Sequence, residues 1–172
     1  MSENRQRGEW LTGPVLVVGA GLLGTSVGLA CRRSGLEVLL SDRAGEPGRT
    51  ASGMGAGRAL VEGDTPQLVV VAVPPDHLGA AVAAALEAHP DAVVTDVGSV
   101  KTGPWRAVAD SPSSERYVGG HPMAGSERSG PLAASASLFD GRPWAITPHR
   151  DSRPTAVEVV EDLVRLCGGV PV

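Results

Sequence analysis

Four short stretches of the 172-residue chain hold residue types that could do chemistry. "GAGLLG" (19–24) fits G-x-G-x-x-G, with Gly19, Gly21 and Gly24 set around Leu22 and Leu23. Glycines at that spacing permit a tight turn and let backbone N–H groups approach a pyrophosphate at a helix N-terminus. Asp42 stands 18 residues beyond Gly24. A carboxylate there can accept from both ribose hydroxyls and repels a 2′-phosphate, which favours NAD over NADP. Arg43, next in the chain, weakens that preference, because a guanidinium pairs well with phosphate. "AVPPD" offers Val73 and Pro74 to shape the path of a dinucleotide, and "DVGSVK" offers Ser99 and Lys101. "YVGGHPMAGSERSG" (117–130) sets His121, Ser126, Glu127 and Arg128 among glycines, with too few apolar residues to be explained by packing.

His121 is the candidate base. Hydride removal from a carbinol carbon leaves positive character there, which a base relieves by taking the hydroxyl proton. A neutral imidazole suits that task near neutral pH. Ser99 could orient the ring by a hydrogen bond, and Glu127 could hold or screen a nearby charge. The alternative for His121 is a histidine hydrogen-bonded within a loop. His77 begins an expected helix, His89 ends one and His149 lies in a Pro-flanked turn, so all three are expected to be solvated surface residues.

Apolar runs alternate with helical stretches and position these groups. "PVLVVGAG", "LEVLLSD", "PQLVVVAVPP" and "DAVVTDVGS" are expected strands, each apolar throughout, as strands buried on both faces are. "YVGGHPM" and "RPWAITP" are two more. Helices are expected over "LLGTSVGLACRRSG" (stopped by Gly35), "DHLGAAVAAALEAHP", a stretch after Lys101 and Thr102, and "RPTAVEVVEDLVRLCGG". A loose helix and a weak strand are expected in "RAGEPGRTASGMGAGRALVEGD", and "GGVPV" starts a further strand or is an edge piece. The fold class is therefore α/β, a Rossmann-type doubly wound, mostly parallel sheet. Ligands of such sheets sit beyond the carboxyl ends of the strands, where the four stretches converge. Residues 1–13 are expected to be a flexible lead-in to a single NAD-binding domain over 14–172.

Composition narrows the function classes. A net charge of −4 leaves no basic stripe for nucleic acid, and no apolar run is long enough for a membrane span. No signal segment is apparent, so a cytoplasmic protein is expected. Cys31 and Cys167, the two cysteines, lie far apart in sequence without metal-ligand spacing; free thiols and no metal site are expected. Arginine outnumbers lysine fourteen to one, a bias expected of a G+C-rich genome. Lys101, the one lysine, is then either a chance survivor or a position where arginine does not serve.

In order and spacing, "VVGAGLLGTSVGLA", "VVVAVPPDHL", "VTDVGSVK" and "GGHPMAGSERSG" resemble the prephenate and arogenate dehydrogenases of tyrosine biosynthesis, and the likeness runs from Pro14 onward. The resemblance implies an NAD-dependent oxidative decarboxylation of prephenate to 4-hydroxyphenylpyruvate, or of arogenate to tyrosine. It implies that His121 is the base on the ring hydroxyl and that Ser99 bonds both His121 and the nicotinamide region. Ser126 and Glu127 then lie in the substrate pocket. Lys101 belongs to the motif as a structural residue or as part of the positive potential for a dianionic substrate. The family also carries a C-terminal helical domain that forms a homodimer and supplies an arginine for a substrate carboxylate, and nothing in this sequence corresponds to it. The chain is thus expected to be the cofactor-binding half, able to bind NAD but turning over poorly alone, since part of the transition-state binding is elsewhere. Two rivals remain: another β-hydroxyacid or imine-reducing dehydrogenase, which "HPMAGSE" argues against, and a non-catalytic NAD-binding module, which has no need of His121.

Overall fold

A computed structural model describes residues 8–125 and 128–172. Its eight strands are β1 (Val15–Val18), β2 (Val38–Ser41), β3 (Arg58–Ala59), β4 (Leu68–Val71), β5 (Val93–Asp96), β6 (Tyr117–Pro122), β7 (Pro143–Thr147) and β8 (Val170–Pro171). They form one sheet in the order β3-β2-β1-β4-β5-β6-β7-β8. All neighbours from β3 to β6 are parallel, β7 runs antiparallel to β6, and β8 is parallel to β7 at the edge. The Rossmann-type reading holds, and the two weakest expected strands are the two-residue pieces β3 and β8.

The strands are apolar throughout because helices cover both faces. Val15, Val17, Leu68 and Val70 point into a core shared with α1 (Leu22–Arg33) and α5 (Pro154–Leu166). Leu16, Val69 and Val71 point the other way, against α3 (Pro75–Ala88) and α4 (Thr102–Val108). The loose helix of the sequence is α2 (Glu46–Gly53). As expected, α1 stops at Gly35, whose φ of 87° closes the turn while the Leu36 N–H returns to the Cys31 carbonyl.

Several long-range ties were not legible in the sequence. The lead-in expected to be flexible is held at its described end. The Trp10 and Leu11 N–H groups donate to the buried carboxylate of Asp162, and those of Thr12 and Gly13 to the Gln67 side chain. Arg116 is buried and donates to the carbonyls of Leu86, His89 and Ala92, capping the C-terminal end of α3. Replacing it by Met leaves three carbonyls without that cation. The urea midpoint is expected to fall by the equivalent of about 2–3 kcal/mol at unchanged slope.

Cys31 and Cys167, distant in sequence, meet in the core, where both are free thiols. The hydrogen bond between them, and then burial, push the Cys167 thiol well above the usual thiol range. Buried neutral thiols are poor nucleophiles. A chromogenic disulfide reagent is therefore expected to label neither cysteine in the native chain and both in denaturant; rapid native labelling would contradict this packing.

Among the described residues no helix is long and apolar enough to cross a membrane. Among the same residues, no group of three or more His, Cys, Asp and Glu could hold a metal ion.

Candidate active site

The strand order reverses between β1 and β4, so the chains leaving these strands diverge and open a crevice. By register, Val18, Val71 and Asp96 end β1, β4 and β5 level with one another. Thr95 pairs with Val118, so β6, ending at Pro122, runs about 10 Å beyond the end of β5. That overshoot carries His121 out over the crevice.

A cleft of about 1310 Å³ crosses these strand ends. Gly19, Gly21, Leu22 and Leu23 line it after β1, Asp42 and Arg43 after β2, and Val73 and Pro74 after β4. Ser99 lines it after β5 and His121 at the end of β6. Five separate strand ends thus deliver the expected residues to one space. Ser126 and Glu127 lie outside the described residues.

The glycine loop is shaped by contact distances. Gly19 has a φ of 100°, and a Cβ there would stand 2.4 Å from the Ala72 carbonyl oxygen. Gly24 does not line the cleft; a Cβ on it would sit 2.0 Å from the Gly19 carbonyl oxygen, so its role is close packing of α1 on the loop. At Gly21 nothing lies within 4 Å of a Cβ position, and no side chain caps the helix that begins beside it. The first N–H groups of α1 therefore face open space, the arrangement that receives an anion.

Asp42 does more than its expected role. One carboxylate oxygen accepts from the Ala20 N–H and the other from the Ala44 N–H, both at 2.8 Å. It braces the glycine loop against the turn after β2, and each oxygen keeps a lone pair for a ligand hydroxyl.

His121 is half-buried, and among the described residues its ring has no hydrogen-bond partner. Ser99 is exposed on the adjacent turn, and no bond joins the two side chains, so the expected orienting contact is absent from this arrangement. The other histidines divide. His77 is exposed, as expected, yet it lines the cleft, as does half-buried His89. Burial pulls the His89 imidazole below its usual range. His149 corrects the sequence reading, for it is half-buried rather than solvated. Its ring lies 4.1 Å from that of Trp105, Nδ1 accepts from the Asp151 N–H, and Nε2 meets the Ser114 carbonyl at 2.8 Å. Accepting at Nδ1 leaves Nε2 to carry the proton.

Asp96, the last residue of β5, lies outside the lining of the cleft, next to the turn that carries Ser99. Fully buried, it accepts from the Tyr117 hydroxyl at 2.8 Å, the Gly98 N–H at 3.0 Å, the Gly120 N–H at 3.4 Å and the Lys101 ammonium. The sequence pointed to Lys101 by its rarity and passed over Asp96, because the partners of a carboxylate at a strand end are set by the neighbouring strand.

Residues 27–172 match the family model described as prephenate dehydrogenase, nucleotide-binding domain. The chain is 39% identical over 158 residues to a probable prephenate dehydrogenase, NovF, of Streptomyces niveus, covering 91% of this chain and 44% of that one. It superposes on the crystal structure of prephenate dehydrogenase from Aquifex aeolicus with a TM-score of 0.83 at 28% identity, covering 92% of this chain and 60% of that one. The same enzyme in complex with hydroxyphenyl propionate and NAD+ gives 0.81 at 27% identity, covering 92% and 58%. Synechocystis arogenate dehydrogenase gives 0.79 at 27% identity, covering 92% and 58%. The chain spans about half the length of the curated relatives it matches. Matched from Val27 to its last residue, this chain belongs to the prephenate dehydrogenase family, in the part of it that binds nucleotide.

Proposed function

We propose that the chain is the NAD-binding, base-bearing part of a dehydrogenase that oxidatively decarboxylates prephenate to 4-hydroxyphenylpyruvate in tyrosine biosynthesis. The observation that carries this reading is the convergence of His121 and the glycine loop on one cleft. A sensor of the dinucleotide has no use for a histidine carried past its neighbouring strand into that space.

The cleft's own geometry fits a dinucleotide. Gly21 leaves room for close approach, the start of α1 offers N–H groups to a pyrophosphate, and Asp42 keeps lone pairs for ribose hydroxyls. NAD, when bound, supplies the acceptor for the hydride of the ring carbon that bears the hydroxyl. His121 takes the hydroxyl proton on a ring nitrogen as the carbon–oxygen double bond forms. The ring carboxylate leaves as CO₂, and its bonding electrons complete the aromatic ring. In this reading Ser99, which lines the same cleft as His121, bonds the imidazole once a ligand is bound, and Ser126 and Glu127 serve the substrate. The family assignment and the NAD+ complex of the Aquifex aeolicus relative support this reading. The near-equal likeness to Synechocystis arogenate dehydrogenase supports arogenate as the second candidate substrate. Free buried thiols are in keeping with a cytoplasmic setting.

The test is to incubate the chain with NAD+ and either prephenate or arogenate and follow NADH by absorbance. Turnover with one substrate alone names the reaction. Silence with both while NAD+ still raises the melting temperature makes this a cofactor-binding part that needs more chain for catalysis. Silence without any thermal protection by NAD+ sinks the proposal.

A further inference from the structure

We infer that Asp96 and Lys101 are positioning residues that clamp the peptide unit leading into His121. This inference rests on the reading of His121 as the base.

The clamp is built on one face of β6. Tyr117, Gly119 and His121 alternate onto the same side of the strand. Gly119 carries no side chain, and the Lys101 stem occupies that space: a Cβ on Gly119 would meet Lys101 Cδ at 3.0 Å and the Tyr117 hydroxyl at 3.4 Å. The Lys101 ammonium donates to Asp96 and, at 2.6 Å, to the carbonyl of Gly120. That carbonyl belongs to the peptide plane that also holds the His121 N–H, so the bond fixes the backbone from which the imidazole projects. On the opposite side Gly120 is confined as well. A Cβ there would stand 2.7 Å from the Asp96 carbonyl oxygen and 3.1 Å from Trp144 Nε1. The peptide is gripped from both faces just where β6 has outrun β5.

Position explains this pair better than stability does. Bringing an ammonium and a carboxylate out of water is costly, and a well-packed apolar pair often serves as well. Burial pulls the Lys101 ammonium below the usual lysine range while Asp96 pulls it up. What an apolar pair cannot do is hold a carbonyl by a directed, charge-assisted bond. Arginine, a longer planar fork, would not set a single nitrogen between Asp96 and Gly120 above a glycine. That accounts for a lysine in a chain otherwise using arginine.

The double variant Asp96→Asn/Lys101→Met removes the clamp without leaving an unpaired buried charge. Imidazole NMR signals of the 172-residue chain are the first readout. Those of His121 are expected to shift or broaden while those of His149, held by Ser114 and Asp151, stay in place. In protein that turns over, kcat is expected to fall about 100-fold, as for a reacting group displaced by about 1 Å, with KM and NAD+ affinity within about twofold. A folded double variant with unchanged His121 signals overturns the clamp. If it does not fold, Lys101→Arg, which keeps a cation beside Asp96, is measured the same way: displaced His121 signals support the clamp and unchanged ones overturn it. Absence of turnover in the unsubstituted chain would count against the proposed function and not against the clamp, which the ring signals test without catalysis.

Discussion

Replacing His121 by Gln is expected to lower kcat by about 10²–10⁴-fold, the span over which a positioned general base contributes. NAD+ affinity should stay within about twofold, since the dinucleotide is held by groups on other strands. Glutamine keeps a polar side chain of similar reach but cannot accept a proton in the working pH range. The fold should be indifferent, because the ring bonds to nothing else among the described residues. The measurement is a pair of titrations on protein that turns over, one of kcat and one of NAD+ binding by intrinsic fluorescence or calorimetry. A variant with normal turnover would leave His121 a strand residue without a chemical role and favour a binding module. Loss of NAD+ affinity together with kcat would make it a cofactor ligand instead.

Gly24→Ala and Gly21→Ala are expected to separate two functions of one motif. A methyl on Gly24 would sit 2.0 Å from the Gly19 carbonyl oxygen, which is backbone and cannot swing away. Helix α1 must then lift from the loop, and overpacking of this kind costs about 1–3 kcal/mol or more. Both the melting temperature and NAD+ affinity should drop. Gly21, by contrast, has a φ of −80°, and nothing lies within 4 Å of its Cβ position. Alanine fits there without strain, so stability should be unchanged or slightly raised. The methyl would stand in the space proposed for the pyrophosphate, and NAD+ affinity is expected to fall about tenfold, the equivalent of about 1.4 kcal/mol. Thermal melts with and without NAD+ read both effects at once. Gly21→Ala binding NAD+ at full strength would move the dinucleotide away from this loop.

Much of this was legible in the chain itself, for a physical reason that can be read residue by residue. Apolar runs such as Leu68–Val71 announce strands covered on both faces, because the side-chain period is local. The turn at Gly19 and the stop at Gly35 follow from the one residue type that accepts a positive φ freely. His121 could be placed at a strand end by its neighbours, since strand and loop composition change within a few residues. In this way the sequence alone determined the alternation of strands and helices, the dinucleotide loop, and the set of strand ends from which a site would be assembled.

Tertiary structure decided what those ends do to one another. The pairing of Asp96 with Lys101 and Tyr117 depends on β5 lying beside β6, and the meeting of Cys31 with Cys167 depends on α1 and α5 sharing a face. Arg116 reaches the end of α3 across 24 to 30 residues of chain, and Asp162 reaches Trp10 and Leu11 across about 150. His149 looked solvated because the sequence does not show that Trp105 lies 4.1 Å away. Periodicity reports which face of an element is apolar, but not which element will cover it. A buried polar group must find its partner after that choice is made, so the clamp behind His121 became visible only once β6 was seen to run past β5.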